Sequence, residues 1–187
     1  FRDKLKSSSV GPIFDGTPDA FMRALALLDK WPDGTSPRQW GDKVVLVLDS
    51  LTFCSDAAFN WAKAMSPTTK EPRQWFYTAQ QVIENLLAML TEKRFNTNVL
   101  VMAHINYQQL SDGVMKGFPS SVGKALGPTI PAYFDNMIQC KCDAQGKRTI
   151  QTVPTAMLDL KNPAAFSMAK EMPIETGLAT FFETLRK

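Results

Sequence analysis

Residues 44–51 read Val44-Val45-Leu46-Val47-Leu48-Asp49-Ser50-Leu51. Five apolar residues in a row are followed by an acid, Asp49. Such a run is typical of a central parallel strand, which is buried on both faces and does not alternate between apolar and polar residues. A second run, Val99-Leu100-Val101-Met102-Ala103-His104, ends in the only histidine of the chain. If the two strands are parallel neighbours, Asp49 and His104 face one crevice at the carboxyl edge of the sheet. The two runs therefore predict a ligand pocket at that edge.

The composition favours one globular domain without a strong overall charge. The chain has 187 residues, 44% of them hydrophobic, which suits one core. Its 21 Lys and Arg against 18 Asp and Glu give a net charge of +3, so any nucleic-acid surface must be local. Three cysteines do not suggest a disulfide framework, and no stretch resembles a signal peptide or a membrane span. We expect a reduced protein of the cytoplasm with no membrane association.

Helices and strands alternate along the chain. Thr17 is predicted as the N-cap and Pro18 as the first residue of a helix that ends before Pro32. A short helix is predicted over 57–65, and Glu71-Pro72-Arg73 opens a longer one. Its predicted apolar stripe comprises Phe76, Ala79, Ile83, Leu86, Leu87 and Leu90.

The C-terminal third predicts a β-hairpin and a last helix. Residues 133–141 and 148–153 flank Asp143-Ala144-Gln145-Gly146-Lys147, a turn sequence, and the helix is expected over about 175–186. Strand, helix and strand followed by a hairpin predict an α/β fold with a mainly parallel sheet.

Asp49 and His104 are the candidate catalytic residues. A carboxylate at the end of a buried strand is the group that holds Mg²⁺ through water in phosphate-loop enzymes. A polar side chain at the end of the next strand can contact the terminal phosphate, and Ser50 and Thr52 can extend the polar cluster. The alternatives are structural: Asp commonly begins a turn, and a lone histidine commonly serves as a hydrogen-bonding residue.

Residues 106–131 are rich in Gly, Ser, Pro and Gln and show little periodicity. A loop of this length in a compact domain usually has a function. Lys116, Phe118 and Lys124 lie in it, and cations beside an aromatic ring can follow a phosphate backbone and stack a base. The alternative is a solvated loop without a ligand.

No segment matches the phosphate-loop motif G-x-x-x-x-G-K-[ST]. The nearest stretch, Gly117 to Ala125, has five residues between its glycines and Ala after the lysine, and no strand is predicted before it. Because the chain begins at Phe1 and not at a methionine, we expect the phosphate loop of a complete protein to lie upstream. The chain is accordingly interpreted as a single domain, 1–187, that lacks its N-terminal phosphate-loop portion.

Several stretches, in this order and spacing, resemble the RecA-like ATPases, and most closely the phage-encoded nucleotide-binding AAA-type proteins, some of which act in single-strand annealing and recombination. The matching stretches are Asp15-Gly16-Thr17-Pro18-Asp19-Ala20-Phe21, Val47-Leu48-Asp49-Ser50-Leu51-Thr52, Ala103-His104-Ile105, Gly123-Lys124-Ala125-Leu126-Gly127, Ile130-Pro131, Tyr133-Phe134, Arg148-Thr149-Ile150-Gln151-Thr152 and Leu160-Lys161-Asn162-Pro163.

The resemblance implies a RecA-like, mainly parallel sheet flanked by helices, with a C-terminal β-hairpin. It makes Asp49 the Walker B acid that binds Mg²⁺ through water, with Ser50 and Thr52 beside ATP and His104 at the end of the next strand. The loop from Asn106 to Gly127 would face single-stranded DNA, and its candidate contacts are Tyr107, Lys116, Phe118 and Lys124. In a self-associated protein, Lys141, Lys147 or Arg148 would reach the phosphates of the neighbouring subunit.

Three functions remain open on these residues. The first is an ATP-binding and ATP-hydrolysing protein of phage DNA recombination or replication, in the host cytoplasm, whose affinity for single-stranded DNA depends on ATP. The second is a non-catalytic DNA- or protein-binding module on the same fold, which the missing phosphate loop favours. The third, a metal-dependent hydrolase centred on Asp49, lacks a second carboxylate at a matching strand end.

Overall fold

The computed structural model describes residues 5–6, 13–14, 18–66, 68 and 71–186. They form nine strands and four α-helices, with short 3₁₀ turns between them. The strands are β1 (Leu5–Lys6), β2 (Ile13–Phe14), β3 (Gly41–Asp49), β4 (Thr97–Met102), β5 (Ile105–Gln109), β6 (Met115–Pro119), β7 (Gln139–Cys142), β8 (Arg148–Gln151) and β9 (Glu171–Pro173). The helices are α1 (Ala20–Asp29), α2 (Leu51–Met65), α3 (Pro72–Thr91) and α4 (Ile174–Leu185).

These elements divide into two compact units. The first extends to Ile105 and includes Pro119–Ile130, and the second consists of Asn106–Phe118 and the chain from Pro131 onwards. The described residues show a mixed α/β fold with small sheets, and the RecA-like, mainly parallel sheet stays a prediction. Among the described strands, β3 and β4 form a two-stranded parallel sheet, and the other sheets are β1 with β2, β5 with β6, and β7 with β8 and β9. The expectation of a single domain stays a prediction.

The two apolar runs are neighbouring strands, so the condition for Asp49 and His104 to share an edge is met. β3 and β4 are parallel, with Leu46 opposite Val99, Leu48 opposite Val101 and Asp49 opposite Met102. Parallel neighbours need a long crossover connection, and α2 and α3 supply it. The register therefore brings the carboxyl ends of both strands to one edge.

β3 is buried on one face only, which differs from the expectation of a strand covered on both. Leu46 and Leu48 are 9% exposed, whereas Val45 and Val47 are 49% and 51% exposed. Successive side chains of a strand point to opposite faces, so covering one face buries every second residue. Leu46 and Leu48 lie with Phe21 of α1 and Leu86 of α3 around an apolar cavity of about 150 Å³. Among the described residues, the face of β3 that carries Val45 has no comparable cover.

The helices of the first unit differ from prediction mainly at their starts. α1 begins at Ala20 with Asp19 as N-cap, so Pro18 precedes the helix and does not occupy its first position. The predicted cap Thr17 lies outside the described residues. α2 begins six residues before Ala57, because Ser50 caps its first turn.

The amphipathic pattern of α3 is confirmed, with Pro72 at its first position. Five of the six predicted stripe residues are buried: Ala79, Ile83, Leu86, Leu87 and Leu90. The sixth, Phe76, is 41% exposed and stacks against Phe59 of α2, with ring centroids 4.6 Å apart.

The segment predicted as a long loop begins with a hairpin. β5 and β6 flank a turn in which the Leu110 N–H donates to the Val114 carbonyl (2.8 Å). Gly113 takes a positive φ of 84°, and the Asp112 carboxylate accepts from the Val114 N–H. Asp112-Gly113 is itself a hairpin sequence signal. The flanking residues are too polar to predict strands.

The second unit contains the predicted C-terminal hairpin. β7 and β8 are antiparallel, with Cys140 opposite Ile150, and β9 adds a third strand beside β8. Ile150, Met172 and Phe181 form the buried core between this sheet and α4. Gly177 lets α4 approach closely, since a Cβ there would lie 2.9 Å from the Cβ of Met172. The predicted last helix is confirmed as α4. No helix among the residues described is long and apolar enough to cross a membrane.

The three thiols differ in their expected reactivity. Cys54 is fully buried in α2, and burial raises the pKa of its thiol to about 12. Cys140 and Cys142 are exposed on β7. Partial burial also raises the pKa of the Cys140 thiol. Because the thiolate is the reactive form, a disulfide reagent at mildly alkaline pH should react with Cys142, more slowly with Cys140, and not with Cys54.

The measurement is the time course of thiol release, repeated on the Cys54→Ala variant as control. Denaturant should release the third thiol in the native sequence only. Three thiols that react equally fast in the folded protein would contradict the buried position of Cys54.

Candidate functional site

The carboxyl edge of the β3–β4 pair carries both predicted catalytic residues. Asp49 is the last residue of β3, and His104 lies two residues beyond the end of β4. Both side chains are exposed. No ion pair or hydrogen bond engages the Asp49 carboxylate among the described residues. This edge is where open α/β sheets bind ligands, and the carboxylate there is available to one.

Ser50 connects Asp49 to α2 and serves as the cap of that helix. Its side chain is buried, and its Oγ accepts a hydrogen bond from the Phe53 N–H (3.4 Å). Its carbonyl accepts from the Cys54 N–H (3.0 Å). The peptide bond between Asp49 and Ser50 is cis. Since α2 begins at Leu51, two residues after Asp49, the positive end of a 15-residue helix lies at the same edge and favours an anion there.

Thr52 holds the two chain segments of the site together. Its Oγ1 accepts from the His104 N–H (3.1 Å) and donates to the Ser120 carbonyl (3.1 Å). The Ser120 N–H in turn donates to the His104 carbonyl (2.7 Å). The Thr52 hydroxyl is thus committed to backbone groups, and its role is to position His104.

Two further contacts support the same cluster. The ring of Phe53 meets the imidazole of His104 edge-on, with centroids 5.5 Å apart. The hydroxyls of Ser55 and Ser121 lie 2.9 Å apart, one turn further along α2. Phe53, Ser120 and Ser121 were not predicted as site residues. The partners that hold them lie up to 68 residues away, and no local pattern marks such contacts.

The donor set at this edge suits Mg²⁺ held by one carboxylate. Mg²⁺ keeps several of its waters and takes one or two protein carboxylates together with substrate phosphates. Among the described residues, no group of three or more His, Cys, Asp or Glu side chains could hold a metal. A magnesium ion at Asp49 would therefore depend on water and on a bound phosphate for its other ligands.

The predicted trans-acting cations lie in the second unit. Lys141 of β7 pairs with Glu171 of β9, with Nζ and Oε2 3.3 Å apart. The Thr149 hydroxyl and, after it, Lys141 lower the pKa of Glu171. Arg148 of β8 is exposed and has no ion pair within the described part of the chain. Arg148 is accordingly the cation better placed to serve another molecule.

The predicted nucleic-acid contacts are divided between the units. Tyr107, on β5, and Lys116 and Phe118, on β6, belong to the hairpin of the second unit, whereas Lys124 belongs to the first. Tyr107 is 45% exposed, and Phe118 is half-buried. Lys116 pairs with Asp159 (2.7 Å), while Lys124 is exposed and has no ion pair with any residue described.

Comparisons with protein-family models, curated proteins and solved structures found no match to this chain. The RecA-like family, ATP, Mg²⁺ and single-stranded DNA therefore all stay predictions.

The geometry around Thr52 predicts a specific loss of stability. Replacing Thr52 by Val keeps the shape of the side chain but leaves the His104 N–H and the Ser120 carbonyl each without this partner. One of these hydrogen bonds is exposed and the other is part-buried, and such a bond contributes about 0.5–1.5 kcal/mol net, so we expect the free energy of unfolding to fall by about 1–2 kcal/mol. Urea unfolding measures the change.

Thr52→Ser is the matched control, because it retains the hydroxyl and should stay closer to the native sequence than Thr52→Val. If both variants were equally stable, the two hydrogen bonds would not hold the cluster.

Proposed function

We propose that this chain belongs to a RecA-like ATPase of phage DNA recombination or replication, which binds ATP with Mg²⁺ and binds single-stranded DNA in an ATP-dependent manner. One observation carries the proposal. The parallel pairing of β3 with β4 brings two side chains to the same strand edge: the Asp49 carboxylate, which has no partner among the described residues, and the imidazole of His104, the only histidine of the chain.

The chemistry at this edge is electrostatic. Bound Mg²⁺ would neutralise the charge that develops on the phosphates during phosphoryl transfer. Asp49 would hold that ion through water, and the N-terminus of α2 would favour the phosphates. His104 would donate a hydrogen bond to the terminal phosphate. A cation from a second subunit completes the site, and Arg148 is the best candidate for it. Self-association is therefore part of the same proposal.

The position of His104 suggests how ATP would control DNA binding. His104 immediately precedes β5, and Ser120 immediately follows β6, so the pair encloses the hairpin in the sequence. The backbone of His104 bonds both to Thr52 and to Ser120. If hydrolysis of the terminal phosphate moved His104, the movement would reach both residues that flank the hairpin, His104 and Ser120.

A RecA-like sheet would also account for the exposed face of β3. In a larger, mainly parallel sheet, Val45 and Val47 would be covered like Leu46 and Leu48. Apolar residues half exposed on a strand are the pattern expected where cover comes from elsewhere in the protein or from a second subunit.

A binding module without catalysis is the second candidate. The absence of a G-x-x-x-x-G-K-[ST] motif from this chain favours it. Such a module would keep the fold and the DNA-binding hairpin, and Asp49 would then serve only as a turn residue.

The decisive substitution for the first candidate is Asp49→Asn. We expect the protein expressed from the entire native reading frame to hydrolyse MgATP, and we expect added single-stranded DNA to increase the rate. Removing the negative charge should lower turnover on the order of 100-fold, as is common when one charge-stabilising group is removed. The measurement is steady-state phosphate release with and without DNA.

Asp42→Asn is the matched control, since Asp42 lies at the opposite end of the same strand. Equal turnover of the native and Asp49→Asn proteins would reject Asp49 as the metal-holding acid. No turnover in any of them would favour the binding module.

The role of the two lysines in DNA binding is tested by salt dependence. Removing a cation that neutralises one DNA phosphate should flatten the log–log dependence of affinity on salt by up to about one unit. We expect Lys124→Ala to show this change in full and Lys116→Ala to show less, because Asp159 already neutralises Lys116. Fluorescence anisotropy with labelled single-stranded DNA measures both slopes.

Lys93→Ala, an exposed lysine beyond the end of α3, is the control and should leave the slope unchanged. Unaltered slopes for Lys124→Ala and Lys116→Ala as well would remove both lysines from the DNA site.

A further inference from the structure

The second unit contains a pocket of about 350 Å³ that the preceding assignments do not use. Three elements form it: the first strand of the hairpin, the sheet of β7 and β8, and the turn over 155–158. Its principal lining residues are Tyr107, Gln139, Lys141, Gln151, Met157 and Leu158. The volume is at the lower end of the range for small-molecule sites and suits one planar group better than an extended segment.

Backbone hydrogen bonds hold the walls of the pocket in place. The Gly117 N–H donates to the Met157 carbonyl (2.7 Å), and Gly117 forms a parallel bridge with Leu158. The Thr155 hydroxyl accepts from the N–H groups of Met157 (3.2 Å) and Leu158 (3.0 Å). These bonds fix the turn against β6, so the pocket does not need a ligand to form it.

The lining combines aromatic and apolar surface with amides. Tyr107 and Met157 are each 45% exposed and present ring and thioether surfaces. The buried Gln151 is oriented by a bond from its Nε2 to the Val153 carbonyl (3.1 Å). The side chain of Gln139 is half-buried and makes no hydrogen bond with any residue described. Side-chain amides can both donate to and accept from the edge of a base.

The charges around the pocket do not favour a phosphate. Lys141 is paired with Glu171, and Lys116, on the neighbouring strand, is paired with Asp159. Each cation is thus neutralised by a carboxylate. A neutral heterocycle that stacks on an aromatic ring and hydrogen-bonds to amides matches this environment better than an anion does.

We infer that this pocket binds one unstacked nucleobase of a single DNA strand. Tyr107 stacks on the base, Met157 contacts it, and the amides of Gln139 and Gln151 hydrogen-bond to its edge. The inference rests on the DNA-binding half of the proposed function. Lys141 then lines the base pocket while its ammonium group remains paired with Glu171.

The test measures the affinity of the whole chain for oligothymidylate and for a strand of equal length in which abasic spacers replace the nucleotides. The native protein should prefer the strand with bases. Tyr107→Ala should weaken binding to that strand about 5- to 100-fold, the loss typical of one stacked base. It should change binding to the abasic strand by less than about twofold, because no base is stacked there.

Two variants make the comparison specific. Tyr107→Phe retains the ring and should keep the preference for bases, and Tyr77→Ala removes an exposed tyrosine of α3, outside the pocket, as a matched control. Circular dichroism of each variant checks the fold.

The outcomes separate the two levels of the proposal. Native protein that binds both strands equally, or Tyr107→Ala that keeps the preference for bases, overturns the base pocket and leaves DNA binding intact. Native protein that binds neither strand, with MgATP present or absent, overturns DNA binding and the pocket together. The pocket is supported if Tyr107→Ala abolishes the preference for the strand with bases and Tyr77→Ala does not.

Discussion

The parallel hydrogen bonding of β3 with β4 is the interaction on which the arrangement of the site depends. It aligns Asp49 with Met102 and so fixes where both chain segments leave the sheet. Because side chains alternate along a strand, a register shift of one residue would exchange the buried and exposed faces of β3. Leu46 and Leu48, against α1 and α3, therefore select the register that also places Asp49 at the edge.

The polar groups next to this edge have separate tasks. Ser50 caps α2 and Thr52 fixes the backbone of His104, so both hydroxyls are used within the protein. The carboxylate of Asp49 has no partner among the described residues and is the group left for a ligand. A site that combines committed positioning groups with one available charge suits the binding of a metal–phosphate complex. The same cluster also fixes the residues that flank the hairpin of β5 and β6.

Sequence patterns predicted the strands, helices and turns that are determined by their own local sequence. The apolar runs ending at Asp49 and His104 predicted two strands, and the stripe of α3 predicted its buried face. The turn at Asp143 to Lys147 predicted the β7–β8 hairpin. Patterns failed where a distant neighbour decides the outcome. Among the described residues, only one face of the strand over 44–48 is covered. The sequence of the strand does not indicate this, because the burial of each face depends on the elements that pack against it.

Two other features could not be predicted for related physical reasons. The hairpin of β5 and β6 has polar strands, Ile105-Asn106-Tyr107-Gln108-Gln109 among them, and strand propensity alone does not indicate it. The pocket beside Tyr107 collects residues from three separate segments, so no local spacing marks it. In contrast, Asp112-Gly113 is a local signal for the hairpin turn. The binding of ATP, Mg²⁺ and DNA stays a prediction.

The central claim, that Asp49 holds a metal–nucleotide complex beside His104, has a direct test in the single histidine. Mn²⁺ can replace Mg²⁺ with ATP, and its unpaired electrons broaden nearby proton resonances. In the protein of the entire native reading frame, selectively labelled at histidine, the imidazole signal of His104 should broaden on addition of MnATP. Asp49→Asn should largely abolish the broadening. A His104 signal that stays sharp in the native protein, or that broadens equally in Asp49→Asn, would contradict the account.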